Sequence, residues 1–169
     1  ECDWSSDVCS SDLGRLYVAE MRDYPNAKTS GAIRRLEDRD GDGRYETSVV
    51  FAENIPFPNG VLPWNGGILV TAAPDILFLR DTNGDGRADE RTVVLTGFGT
   101  GNQQLRVNGL YLGLDNWIYG ANGRSDGEIH APGRTNRVSI RGRDFRFRPA
   151  TGEIETLAGR SQFGLAHDD

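Results

Sequence analysis

From Arg15 onward the chain is a succession of short apolar runs, each bounded by Gly, Pro, Asn or Asp. Residues 15–20 (RLYVAE) alternate with period two and are rich in β-forming side chains, which predicts a strand. The same reading predicts strands over 32–37, 47–52, 61–64, 68–72, 75–80, 91–96, 108–112, 117–120, 143–148 and 153–157. Asn65-Gly66-Gly67 and Pro149-Ala150-Thr151-Gly152 are turn signals between them. Almost no stretch carries the 3.6-residue spacing of a helix, so the pattern predicts an all-β fold.

The strands recur in groups. Asp38-Arg39-Asp40-Gly41-Asp42-Gly43-Arg44-Tyr45-Glu46 returns 43 residues later as Asp81-Thr82-Asn83-Gly84-Asp85-Gly86-Arg87-Ala88-Asp89. A repeat of that length, with four strands per unit, predicts a β-propeller. With strands A to D running outward from the axis, the pattern gives B, C and D of one blade and two full blades. The start of another strand A follows at Phe163-Gly164-Leu165. Closure needs at least ~4 blades, so the expected fold is a partial β-propeller, an internal slice of a larger one.

Each acidic loop joins strands C and D. Oxygen-bearing side chains stand at loop positions one, three, five and nine, with Gly at six for the sharp turn. The candidate metal ligands are Asp38, Asp40, Asp42 and Glu46 in the first loop, and Asp81, Asn83, Asp85 and Asp89 in the second. Position twelve, a bidentate Glu in an EF-hand, is Val49 or Thr92 here, and strands replace the flanking helices. Two readings stay open: weak calcium binding, and Gly-rich hairpin turns with solvated acids.

Composition changes the picture mainly at the N-terminus. Asp3-Trp4-Ser5-Ser6-Asp7-Val8-Cys9-Ser10-Ser11-Asp12-Leu13 resembles a translated sequencing adapter in one frame. Residues 1–13 are therefore read as a non-native segment, with no selected contacts to the sheets, and 14–169 as the propeller domain. Both cysteines, Cys2 and Cys9, fall in that segment, so no disulfide inference follows. Its four acids account for most of the formal net charge of −6, leaving −2 for the remainder. No basic field points to nucleic acid, and no apolar run approaches the ~20 residues of a membrane helix.

Strand alternation puts the B–C and D–A connections on one rim and the A–B and C–D turns on the other. The long insertions, 21–31 and 121–142, are both B–C loops, and the D–A segment 97–108 is long too. Elaborated loops at one end of a rigid scaffold mark a binding face. That face carries Arg22, Asp23 and Tyr24, then Arg106 and Asn108, then Arg124, Asp126 and His130, and finally His167. Asp126 with His130 suggests an acid/base pair, and His167 a lining role. Solvated loop side chains are the competing explanation. Trp64 and Trp117 read as blade packing.

Residues 14–20, 58–64, 71–76, 81–89 and 108–120, in that order, resemble the PVC-type membrane-bound dehydrogenases, a β-propeller family similar to glucose/sorbosone dehydrogenases. The resemblance covers nearly all of 14–169. It implies a periplasmic or extracellular propeller, membrane-associated only through other segments, whose main partner is the rest of its own propeller. It implies oxidation of a small sugar or polyol, with electrons passed to a quinone or haem acceptor. The cofactors it brings are calcium, pyrroloquinoline quinone, and haem c elsewhere in the full-length protein. Arg106, Asn108 and Arg124 become candidate substrate-binding residues. The catalytic histidine of the glucose/sorbosone relatives maps onto Leu105, which cannot take a proton from a hydroxyl. The alternative is a non-catalytic propeller that binds carbohydrate or a protein partner.

Overall fold

The computed structural model describes residues 8–11 (backbone only), 14–22, 24 and 30–164. They form three antiparallel sheets, none closed. The fold is all-β, a partial β-propeller.

Strands β1 (Val8–Ser11), β2 (Arg15–Glu20), β3 (Gly31–Glu37) and β4 (Thr47–Ile55) make the first sheet, in that order. The second takes β5 (Gly60–Trp64), β6 (Gly67–Ala72), β7 (Asp75–Arg80) and β8 (Glu90–Phe98). The third is β9 (Asn108–Leu112), β10 (Ile118–Ala121), β13 (Asp144–Arg148) and β14 (Glu153–Leu157). Each is a four-strand meander, and every strand read from the alternation is present. At Asn65-Gly66 both residues have positive φ, 47° and 74°. That is the primed turn whose twist suits a tight hairpin.

The first sheet departs from expectation. Val8–Ser11 pairs with β2 in continuous register, Val8↔Val18 to Ser11↔Arg15. The adapter-like segment therefore supplies strand A of this sheet. The open edge of β2 presents a row of backbone donors and acceptors that any extended segment completes, whatever its side chains. The opening of another strand A falls at Phe163 and Gly164, both exposed, and residues 165–169, including His167, lie outside the described residues.

A second departure is in the B–C insertion. It contains β11 (Gly127–His130) and β12 (Val138–Ser139), which extend the second sheet to the order β12-β11-β8-β7-β6-β5. The chain divides into two compact units, residues 1–72 with 78–92, and residues 73–77 with 93–169.

In the first unit Tyr17 meets Phe51 edge-on at 5.1 Å, and Ala19, Ile33, Ile55, Ile68, Leu69 and Val70 are fully buried. In the second, alternation on β13 sorts the side chains. Phe145 and Phe147 are fully buried, each side chain contributing roughly 1.5–3 kcal/mol by leaving water. Arg146 and Arg148 take the opposite face and lie 4.5 and 4.4 Å from the ring of Trp117. Trp117 thus packs within its blade, as expected. No helix among the described residues is long and apolar enough to cross a membrane.

Candidate functional site

The two acidic loops are built alike. In the first, Asp38 Oδ1 accepts from the Gly41 amide at 2.7 Å and Oδ2 from the Gly43 amide at 2.9 Å. Asp40 accepts from the Asp42 amide at 3.2 Å, and Asp42 from the Arg44 amide at 2.7 Å. Glu46 Oε2 accepts from the Arg39 amide at 2.7 Å and closes the loop. In the second, Asp81 takes the Gly84 and Gly86 amides at 2.7 and 2.8 Å. Asn83 takes the Asp85 amide, Asp85 the Arg87 amide and Asp89 the Thr82 amide, at 2.9, 2.8 and 2.9 Å. Every bond recurs at an offset of 43 residues. Short acidic side chains folding onto the amides two to five residues ahead are the local chemistry that shapes both turns.

The loops differ in what meets their carboxylates. Oxygens of Asp38, Asp40, Asp42 and Glu46 all lie within 4.8 Å of one another, a group that could hold a metal ion. Asp81, Asp85 and Asp89 form no such group. Instead the Arg35 guanidinium donates to Asp81 Oδ2 at 3.3 Å, with both side chains only 11% exposed. Burial alone would raise the Asp81 carboxyl. The Gly86 and Gly84 amides and the Arg35 charge outweigh it, so the carboxyl sits below its ordinary range. The second set thus carries its own cation.

Of the residues predicted to line a binding face, Arg22, Arg106, Asn108 and Asp126 have structural partners. The Arg106 side chain is buried and donates to the Thr100 carbonyl at 2.7 Å, and burial lowers its pKa. The Asn108 amide donates to the carbonyls of Arg106 and Gln162, both at 2.8 Å, and its oxygen accepts from Gly164 at 2.8 Å. It joins the start of β9 to segment 162–164. Arg124 is exposed in a left-handed conformation, φ 73°.

Asp126 and His130 do not form a pair. Asp126 accepts from Gly142 at 2.9 Å, Asn122 at 3.2 Å and Arg160 at 3.3 Å. The Gly142 amide, more than any other partner, holds its carboxyl below the ordinary range. His130 closes β11, four residues further along extended chain, roughly 13 Å at the rise of a strand. Its Nδ1 faces the Glu128 carbonyl at 3.4 Å. Leu105 ends the 3-10 turn η1 (Gln103–Leu105), capped by Asn102. Arg22 bonds Glu20 at 2.6 Å, Tyr24 is exposed, and Asp23 lies outside the described residues.

Sequence reasoning missed the best-buried polar cluster. Asp144, 2% exposed, accepts from the Asn122 amide at 2.9 Å and from the Ser161 amide and hydroxyl at 2.9 and 2.7 Å. Asn122, 1% exposed, donates in turn to the Ile140 and Arg143 carbonyls. These partners satisfy one another and hold the ends of β10 and β13 and segment 159–161 together. The one local signal was an Asp at the first position of an otherwise alternating strand.

A family model described as "Domain of unknown function (DUF7133)" matches residues 6–169. No curated protein matches the chain.

Proposed function

The chain belongs to that family of unknown function, and we propose that it serves as a calcium-supported, non-catalytic part of a sugar or polyol dehydrogenase-like propeller. The observation that carries this reading is the first acidic loop. Asp38, Asp40, Asp42 and Glu46 offer oxygen ligands within 4.8 Å of one another, the donor set that a hard cation takes. In this pattern loop position seven, here Arg44, would give its backbone carbonyl. Without a bidentate Glu at position twelve, the dissociation constant falls at the weak end, about 10⁻⁴–10⁻³ M.

The oxidoreductase step itself draws no support from the described residues. By the resemblance to glucose/sorbosone dehydrogenases, Leu105 would stand at the position of the base, and Asp126 and His130 are a strand apart. The donor set does not fit a pyrroloquinoline quinone: Arg106 is turned to the Thr100 carbonyl, and all three polar contacts of the Asn108 amide are to backbone. No step is therefore assigned to a quinone or haem within these blades.

Tyr45, in the first loop and 43% exposed, allows a direct test. Terbium bound there should show luminescence excited through the tyrosine, displaced by millimolar calcium. Calcium at ten times its dissociation constant should add about 1.4 kcal/mol of stability. Asp40→Asn with Asp42→Asn should abolish both signals. Failure of calcium to displace terbium or shift melting at 10 mM would reduce the loop to a hairpin turn. Dye-linked oxidation of sugars by this chain would overturn the non-catalytic part.

A further inference from the structure

The chain carries five Asn-Gly pairs, opening at Asn59, Asn65, Asn83, Asn108 and Asn122. One reaction is open to any such pair. The glycine nitrogen attacks the asparagine Cγ, an intramolecular step between groups that the chain already holds close. A C–N bond forms, the bond to the side-chain nitrogen breaks, and that nitrogen leaves as ammonia with the glycine amide proton. Water then opens the five-membered succinimide to aspartate or to isoaspartate, whose main chain runs through Cβ. No oxidant or reductant is needed. The step requires an asparagine side chain free to turn and a glycine nitrogen free to reach it.

Four of the five pairs are held. Asn59 accepts from the Thr71 hydroxyl at 2.7 Å, beside the buried Gly60. Asn83 accepts from the Asp85 amide at 2.9 Å, and the Gly84 amide is fixed on Asp81 Oδ1 at 2.7 Å. Asn108 is buried with its amide on two carbonyls. Asn122 is buried likewise, and the Gly123 amide donates to the Ser161 carbonyl at 3.0 Å. Asn65 and Gly66 differ. Both are exposed at the tip of the β5–β6 hairpin. Among the described residues neither the Asn65 side chain nor the Gly66 amide makes a hydrogen bond, and a Cβ at Gly66 would meet open space.

We propose that Asn65-Gly66 is a site of spontaneous deamidation, and that its isoaspartate product breaks the hairpin. The two products part at the turn. Asp-Gly suits the same primed turn as Asn-Gly, so aspartate adds a charge and leaves the strands paired. Isoaspartate adds one main-chain bond, about 1.5 Å, between Trp64 and Gly67, which pair directly across the turn. Gly67 has no slack to take it up, because even a methyl group there would collide with the Leu79 carbonyl and the Phe78 ring. Trp64, edge-on to Phe78 at 5.4 Å, moves with it. This inference rests on the turn and not on the calcium reading.

The test is to age the full chain at pH 8, folded and in urea, and to follow each Asn-Gly peptide by mass mapping with chromatographic separation of aspartate from isoaspartate. In urea all five pairs should convert together, since their local sequence is the same. In the folded chain Asn65 should convert first while the other four keep their amides. Asn83 or any other pair keeping pace with Asn65 in the folded chain would overturn the assignment, as would an Asn65 that survives folded while it converts in urea. Asn65→Asp should melt with the unaged chain, whereas the isoaspartate fraction should melt lower and show altered Trp64 fluorescence. An isoaspartate fraction that melts with Asn65→Asp would overturn the broken hairpin.

Discussion

The two acidic loops share five amide-to-side-chain bonds yet differ in their cation. Around Asp38 the four carboxylates converge with no basic side chain bonded to them among the described residues. Around Asp81 the Arg35 guanidinium is fixed at 3.3 Å. Loop shape is therefore local, set by the Asp and Gly pattern, while charge balance comes from outside the loop. Arg35 reaches Asp81 across 46 residues of sequence, and nothing in the loop's own nine residues announces it. The lesson is that a metal-like motif can be satisfied by an arginine, and that motif spacing alone does not tell the two cases apart.

The sharpest way to break the comparison is to remove the first aspartate of each loop. Asp81→Ala takes away two amide acceptors and leaves Arg35 poorly solvated. Arg35 keeps Glu37 at 3.4 Å, so the cost in urea unfolding should be about 2 kcal/mol. Asp38→Ala, which loses its amide bonds at an exposed loop, should cost about 1 kcal/mol. Equal losses would mean that the Arg35 pair contributes nothing.

The glycines at position six offer a finer test. Gly43 and Gly86 have φ of 88° and 91°, so alanine strains both. A Cβ at Gly43 meets open space, whereas one at Gly86 comes within 3.0 Å of Arg35 Nη2. Gly43→Ala should cost about 1 kcal/mol and Gly86→Ala about 2, measured by thermal melting.

Acid titration probes Asp81 directly. Asp81 has its folded pKa below the unfolded value, so its contribution is complete above the unfolded pKa, about 3.9. It is lost as pH falls through the lower folded value. Asp81→Asn should therefore flatten the fall in stability below pH 4. A variant that keeps the full acid slope would place its origin elsewhere. Smallest of all, Asn83→Asp gives the second loop four acids, as in the first, with Asp89 in place of Glu46. With Arg35 in place it should shift stability by no more than ~0.5 kcal/mol and create no calcium response. A terbium signal from the Asp38→Ala, Asn83→Asp double variant would show that side-chain composition, and not Arg35, decides.

The fold was legible wherever information was local. Alternation placed eleven strands, because each buries one face and turns at Gly, Pro or Asn. It did not place β11 and β12. They have four and two residues, and they are strands because β8 offers an edge, a condition set far away in sequence. Val8–Ser11 was set aside for its origin, and origin says nothing about whether a backbone can pair. The candidate site divides in the same way. Asp38 to Glu46 could be read directly, since nine consecutive residues make the cluster. Asp144 could not, since its partners stand 22 and 17 residues away. Asp126 and His130 look paired in sequence, but extended chain carries them apart.

The cover of β8 by β11 has a consequence for inheritance. The sequence repeats by blade, and a duplication or recombination event would cut between strand D of one blade and strand A of the next. Such a cut after Phe98 discards the segment that shields β8, so a gene encoding one blade does not encode one protected sheet. The blade after β8 brings an insertion that serves its predecessor, which ties those two copies together, whereas β4 is met by the Ala88 amide and the Arg91 side chain and needs none. At that junction the unit that selection can copy is one insertion longer than the unit that the eye finds in the sequence.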